Sequence, residues 1–156
     1  MAIRSTHHGC LPHVRHRRTA RHGPVGPRVE VAVAPLSLVC RLLPAGDLII
    51  VAGEADSANA DRLESFVDCM RRPGEVLVLD LEGLTFMDSS GLHALLRLNA
   101  AARERGEGLH LAAVRDVPGR VLQIAGVWFA LNIHPSVEEA FAVALSFRDP
   151  PVREPQ

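Results

Sequence analysis

The chain has 156 residues, and its 17 basic residues, every one Arg, nearly balance 18 acidic ones. That length suits one domain, since domains of roughly 100–200 residues are usual and can bury about two-thirds of their unfolded surface. With no Lys at all, mechanisms that need one are excluded: a Walker-A nucleotide site, a Schiff base, or a phosphoryl receiver that relies on a Lys.

Residues 1–29 hold six Arg, five His and no acid, which leaves 11 Arg against all 18 acids in the rest, a net charge of −7. The tail also contains Pro12, Pro24 and Pro27 and has no apolar period. It has too little apolar surface to offset the entropy of ordering, so residues 1–28 are expected to be a disordered Arg/His-rich tail. A solvated tail, a start upstream of the natural one, a transit peptide and a nucleic-acid or acidic-partner arm through His13–Arg18 all fit that composition. Direct DNA binding by the chain is not expected. Residues 29–35 alternate weakly through Val29, Val31 and Val33 and read as a linker or an extra edge strand. No apolar run is long enough for a signal peptide or a bilayer span. Cys10, Cys40 and Cys69 are far apart and form no CxxC pair. This argues against a disulfide scaffold or a Cys-based metal site. It suits a reducing cytoplasm, with Cys40 and Cys69 as buried thiols.

Regular patterning starts near residue 36. Leu36, Leu38, Cys40 and Leu42 alternate with Ser37 and Arg41, Pro44–Asp47 form a turn, and Leu48–Ala52 are continuously apolar. This predicts a hairpin whose second strand is central. Asp56 or Ser57 is expected to cap a helix with Ala60, Leu63, Val67 and Met70 on one face, stopped by Arg71-Arg72-Pro73-Gly74. Val76–Leu79 is a second apolar strand ending at Asp80, a carboxylate that orients the following loop. Residues 82–87 read as that loop, leading into Asp88-Ser89-Ser90-Gly91. A helix then carries Leu92, Leu95, Leu96, Asn99 and Ala102 inward. Residues 109–114 form a strand, Asp116 caps a short helix, and Trp128-Phe129 belong to the core. A short strand runs over 131–133, and Ser136–Glu139 is a capping box for a last helix with Ala140, Phe141, Ala144 and Leu145 inward. From residue 148 to 156 the end is expected to be disordered. The order β-β-α-β-α-β-α-β-α defines an α/β fold: one mixed sheet, an initial hairpin followed by parallel crossovers, covered by about four helices.

The chemistry gathers at Asp88-Ser89-Ser90-Gly91. Amides at a helix start lack intrahelical partners and face the positive end of the dipole. Such a site tolerates a phosphate, as a ligand or covalently on a Ser. An Asp or Ser N-cap explains the same spacing. Gly91 lets another chain approach closely.

The stretch Val78–Leu92, with Asp88-Ser89-Ser90-Gly91-Leu92 at its end, resembles the signature of bacterial anti-anti-sigma factors (anti-sigma factor antagonists) of the STAS family. Gly53-Glu54-Ala55-Asp56 is similar to the family's G-E-x-D, Val121–Val127 to its short third helix and Ser136–Leu145 to its closing helix. The resemblance covers residues 36–147 and implies a single STAS domain there. Ala125 stands where the family often has Ser, and His93 where a small residue is common. The resemblance implies a protein that is not an enzyme and needs no cofactor or metal. It binds an anti-sigma factor serine/threonine kinase, so that a sigma factor is released. Phosphorylation of Ser89 switches it off and a phosphatase acting on phospho-Ser89 restores it. Asp56, Asp88, Ser89, Ser90 and Gly91 then form the docking surface. The alternative is a STAS scaffold: a subunit of a stress-sensing complex or of a lipid-transport ATPase.

A serine hydrolase needs a positioned base and an oxyanion hole. The chain has no G-x-S-x-G, and His93, His110 and His134 read as helix-face, strand and edge residues. Asn132-Ile133-His134 offers no metal constellation.

Overall fold

The computed structural model describes residues 35–148. The expectations for the tail 1–28, for the linker up to residue 34 and for residues 149–156 lie outside them. The elements are β1 (Ser37–Leu43), β2 (Gly46–Ala55), α1 (Ala60–Met70), β3 (Leu77–Asp80), β4 (Leu84–Met87), α2 (Ser89–Glu104), β5 (Leu109–Ala112), α3 (Asp116–Ile124), β6 (Asn132–His134) and α4 (Val137–Arg148). The domain is mixed α/β, with sheet order β1-β2-β3-β5-β6; β1 runs antiparallel to β2 and the other pairs are parallel.

β2 is long enough to serve two neighbours. Its first half, Asp47–Ile50, pairs with β3, and its far end, Gly53–Ala55, pairs with β4. The register shifts between Gly53 and Glu54. Gly53 has φ +98°, and a Cβ there would lie 2.2 Å from the Pro35 carbonyl oxygen, so only Gly fits. β4 corrects the reading of residues 82–87 as loop and adds one strand to the expected order. Asp80 acts as expected: its carboxylate accepts from the Glu82 amide at 3.0 Å and shapes the turn into β4.

Among the described residues, α1, α2 and α3 cover one face of the sheet. Ala60, Leu63 and Val67, then Leu92, Leu95, Leu98 and Ala102, and Leu122 pack on Ile49, Val51, Leu79 and Leu111. α4 covers the other face, with Ala140, Phe141 and Ala144 on Leu48, Val76, Val78 and Ala112. The Ser136 hydroxyl accepts from the Glu139 amide at 3.2 Å, the expected cap of α4.

Other expectations need correction. Leu145 is exposed, because the narrow apolar stripe of α4 is filled by Ala140, Phe141 and Ala144. α4 runs through Arg148, so disorder does not begin there. Phe129 is 98% exposed, while Trp128 packs partly on the core through the short 3₁₀ turn Trp128–Ala130. The N-cap of α3 is Arg115, and Asp116 is its first residue with φ +46°. Cys40 is a free, half-buried thiol, but Cys69 is exposed on α1 and disulfide-bonded. No helix among the described residues is long and apolar enough to cross a membrane.

Candidate functional site

β2 and β4 end side by side. Ala55 and Met87 are register partners, so Asp56 and Asp88 leave the sheet as neighbours at its edge. The Asp88 amide donates to the Ala55 carbonyl at 3.1 Å, tying the start of α2 to the end of β2. Asp88 is the N-cap of α2: its Oδ1 accepts from the amides of Ser90 at 2.9 Å and Gly91 at 3.1 Å. This meets two of the otherwise unpartnered N–H groups of the helix. Ser89 is thereby the first helical residue, and it is exposed; Ser90 is half-buried and Gly91 buried.

Gly91 packs against the protein's own strands. A Cβ there would lie 2.7 Å from Met87 Cγ, 2.8 Å from the Ala55 carbonyl oxygen and 2.9 Å from Ala55 Cβ. Its lack of a side chain lets α2 sit on the protein's own β2 and β4.

Asp56 does not cap α1 directly. Its Oδ1 accepts from the Ala58 amide at 2.9 Å, and its own amide donates to Asn59 Oδ1 at 2.9 Å. Asn59 Nδ2 donates to the Glu54 carbonyl at 2.8 Å, and α1 begins only at Ala60. Sequence reasoning missed Asn59; its signal was an Asn three residues past Asp56, the spacing of a side-chain-closed turn. The turn holds the Asp56 carboxylate at the same edge as Ser89. The site is thus an exposed hydroxyl on a fixed helix start, next to the capping carboxylate of Asp88, with Asp56 following the neighbouring strand.

The histidines divide between the two faces of the domain. His93 is exposed on α2, four residues after Ser89. His110 alternates with Leu109 and Leu111 and so points to the α4 face, away from α2. There its Nδ1 lies 2.9 Å from His134 Nε2. Burial, then the neighbouring His134, pushes the His110 imidazole down to about 4; burial also lowers His134, opposed by Glu139. Neither imidazole, on the opposite face from α2, can serve Ser89 as a base. Among the described residues, no three His, Cys, Asp or Glu side chains gather to hold a metal.

The fold and this junction define a small α/β domain that presents a capped helix start, its first Ser exposed, at the edge of a parallel sheet. The profile of the STAS domain matches residues 46–140, and the chain belongs to the STAS domain family. Curated relatives include an anti-sigma-B factor antagonist of Staphylococcus aureus, 28% identical over 89 residues, 56% of this chain and 82% of that protein. An anti-sigma F factor antagonist of Paenibacillus polymyxa is 32% identical over 92 residues, 57% of this chain and 79% of that protein. Among solved structures, an anti-sigma factor antagonist from Mycobacterium paratuberculosis has a TM-score of 0.62 at 23% identity, covering 74% of this chain and 96% of its own. A sulfate transporter family protein from Wolinella succinogenes has a TM-score of 0.60 at 24% identity, covering 70% and 93%. At those identities the likeness shows the fold alone, and the fold serves proteins of different names.

Proposed function

We propose that the chain is an anti-sigma factor antagonist that acts by binding and catalyses nothing itself. It engages an anti-sigma factor with serine kinase activity in the cytoplasm, the anti-sigma factor lets go of its sigma factor, and transcription proceeds. The kinase then moves the γ-phosphoryl of ATP to Ser89 Oγ. The bond to ADP breaks, the hydroxyl proton is lost, and the phosphoprotein is released until a phosphatase hydrolyses the ester. Asp56, Asp88 and Ser90 border the docking surface. The observation that carries this reading is Ser89 itself: an exposed hydroxyl at the first position of α2, in a D-S-S-G turn, in a chain whose curated relatives are named anti-sigma factor antagonists.

The geometry supports release by charge. Asp88 already occupies the amides of Ser90 and Gly91, so a phosphate on Ser89 does not find them free, as the sequence suggested. It adds a charge of about −1.5 to −2 beside the Asp88 carboxylate. A partner surface that fits a neutral hydroxyl then meets both bulk and like charge, a cost of several kcal/mol if the dianion is desolvated without a new cation.

The test is a pull-down from native lysate with ATP and with ADP, read by mass spectrometry, followed by labelling with the recovered kinase. Ser89→Ala is expected to bind, to resist labelling and to leave sigma-dependent transcription on. Ser89→Asp stays folded, binds weakly and leaves transcription off. Full labelling of Ser89→Ala would move the acceptor elsewhere. Recovery of transporter subunits in place of a kinase would favour the scaffold alternative.

A further inference from the structure

Ser89 and His93 are both exposed and lie four residues apart on α2. On a helix that spacing brings side chains one above the other, with Cβ atoms about 6 Å apart. An anion followed by a cation four residues on is the favourable order with respect to the helix dipole. We infer that His93, as imidazolium, is the intramolecular counter-ion of a phosphate on Ser89. The inference rests on phosphorylation of Ser89 proposed above.

The surroundings leave this role to His93. The amides of Ser90 and Gly91 are held by Asp88. The next cation along the same exposed stripe, Arg97, is held by Glu64 of α1 through its Nε at 2.9 Å and through Nη2. Arg103 and Arg105 lie at the far end of the helix. The elements packed against α2 are α1, β4 and β5. α1 brings Glu64 and Asp61 toward Arg97. β4 has no ionisable residue, and the His110 of β5 points to the other side of the sheet. Asp88 at the helix start repels the phosphate and raises its demand for a cation. An imidazole takes up charge between pH 5 and 8, the range in which a phosphoserine loses its second proton near 6. The pair joins the imidazolium to the doubly ionised phosphate. The pair partly masks the charge that drives a partner away.

The experiment uses the full chain carrying phosphoserine at position 89, made by the cognate kinase or by genetic incorporation. The phosphate is titrated by phosphorus NMR from pH 4.5 to 8.5, in the parent and in His93→Gln and His93→Lys. The midpoint of the parent is expected to lie below that of His93→Gln by about 0.3 unit or more, a twofold change in proton affinity. His93→Lys keeps the lowered midpoint, and 1 M salt brings parent and His93→Gln together. Coincident midpoints of parent and His93→Gln at low salt, with both proteins melting alike, overturn the inference. Kinase labelling that maps away from Ser89 overturns the reading beneath it and removes the pair's role in the switch.

Discussion

Asp47, 1% exposed at the start of β2, clasps Arg72 in the connection between α1 and β3. Oδ2 accepts from the Arg72 amide at 2.6 Å and Oδ1 from its Nε at 2.7 Å, while Nη2 reaches the Leu43 carbonyl at 3.0 Å. One carboxylate thus joins the hairpin, the end of α1 and the entry to β3. Asp47→Ala is expected to lower stability by roughly 2–4 kcal/mol, since two charge-assisted hydrogen bonds are lost and a buried cavity remains. Asp47→Asn should fall between it and the parent in urea melts. A variant as stable as the parent would show that the clasp contributes nothing.

The inward side of α2 can be tested residue by residue. Leu95 is 1% exposed and Leu96 is half-buried at the edge of the same cluster. Leu95→Ala should cost roughly 2–5 kcal/mol. Leu96→Ala should cost less, and Phe129→Ala should stay within about 0.5 kcal/mol because its ring touches water. Denaturant midpoints of the three variants check the ranking, and a larger loss for Phe129→Ala would invert it.

These residues show where the sequence was legible. The strand-helix alternation and the apolar face of α1 follow from period and breakers, whereas on α2 the expected Leu96 is half-buried and Leu98, outside the expected set, is buried. The cap at Asp88 was equally plain. β4 was missed because its burial pattern is in-out-out-in over four residues, with Thr85 and Phe86 both exposed, so it shows no alternation. It is a strand only because the far end of β2 needs a partner. Phe129 was assigned to the core because composition cannot distinguish an exposed aromatic from a buried one. Arg72 was read as a helix-stopping cation, since its partner Asp47 is distant in sequence. Gly91 was legible as a close approach, but which chain approaches depends on tertiary structure.

Gly91→Ala tests that approach. The new methyl would press on the Ala55 carbonyl oxygen, which is backbone and cannot swing aside. The expected cost is about 1–3 kcal/mol, with the start of α2 displaced from β2. Amide hydrogen exchange at Asp88, whose N–H is bonded to Ala55, should speed up in step with the loss of stability. Unchanged protection there would mean that α2 accommodates the methyl without moving.

Stability should also depend on pH through His110. Its imidazole, 8% exposed and facing His134, titrates at about 4 when folded against 6.5 when free. Between those values the unfolded chain holds a proton that the folded chain refuses. The contribution is therefore complete above about pH 6.5 and is lost progressively as the pH falls to about 4, roughly 3 kcal/mol. His134, lowered in the same direction, adds to the slope. Urea midpoints should fall from pH 7 to pH 4.5, and His110→Gln should flatten that slope. A slope of equal size in His110→Gln would assign the pH dependence to other groups.

Asp88 has two effects that can be separated. As the N-cap of α2 it accepts from the amides of Ser90 and Gly91, and its removal in Asp88→Ala should cost about 1 kcal/mol. The same removal frees those amides and takes a negative charge away from position 89. A phosphate on Ser89 can then accept from the vacated N–H groups, as anions do at helix starts. The cost of Asp88→Ala should therefore shrink by at least half when position 89 carries phosphoserine. Thermal melts of four proteins close the cycle: parent and Asp88→Ala, each with and without the phosphate. The coupling appears as a smaller gap between the two phosphorylated melts than between the two unmodified ones. Equal gaps would mean that phosphate and Asp88 do not compete for the same amides. The like charge at Asp88 would then have no measurable part in the switch.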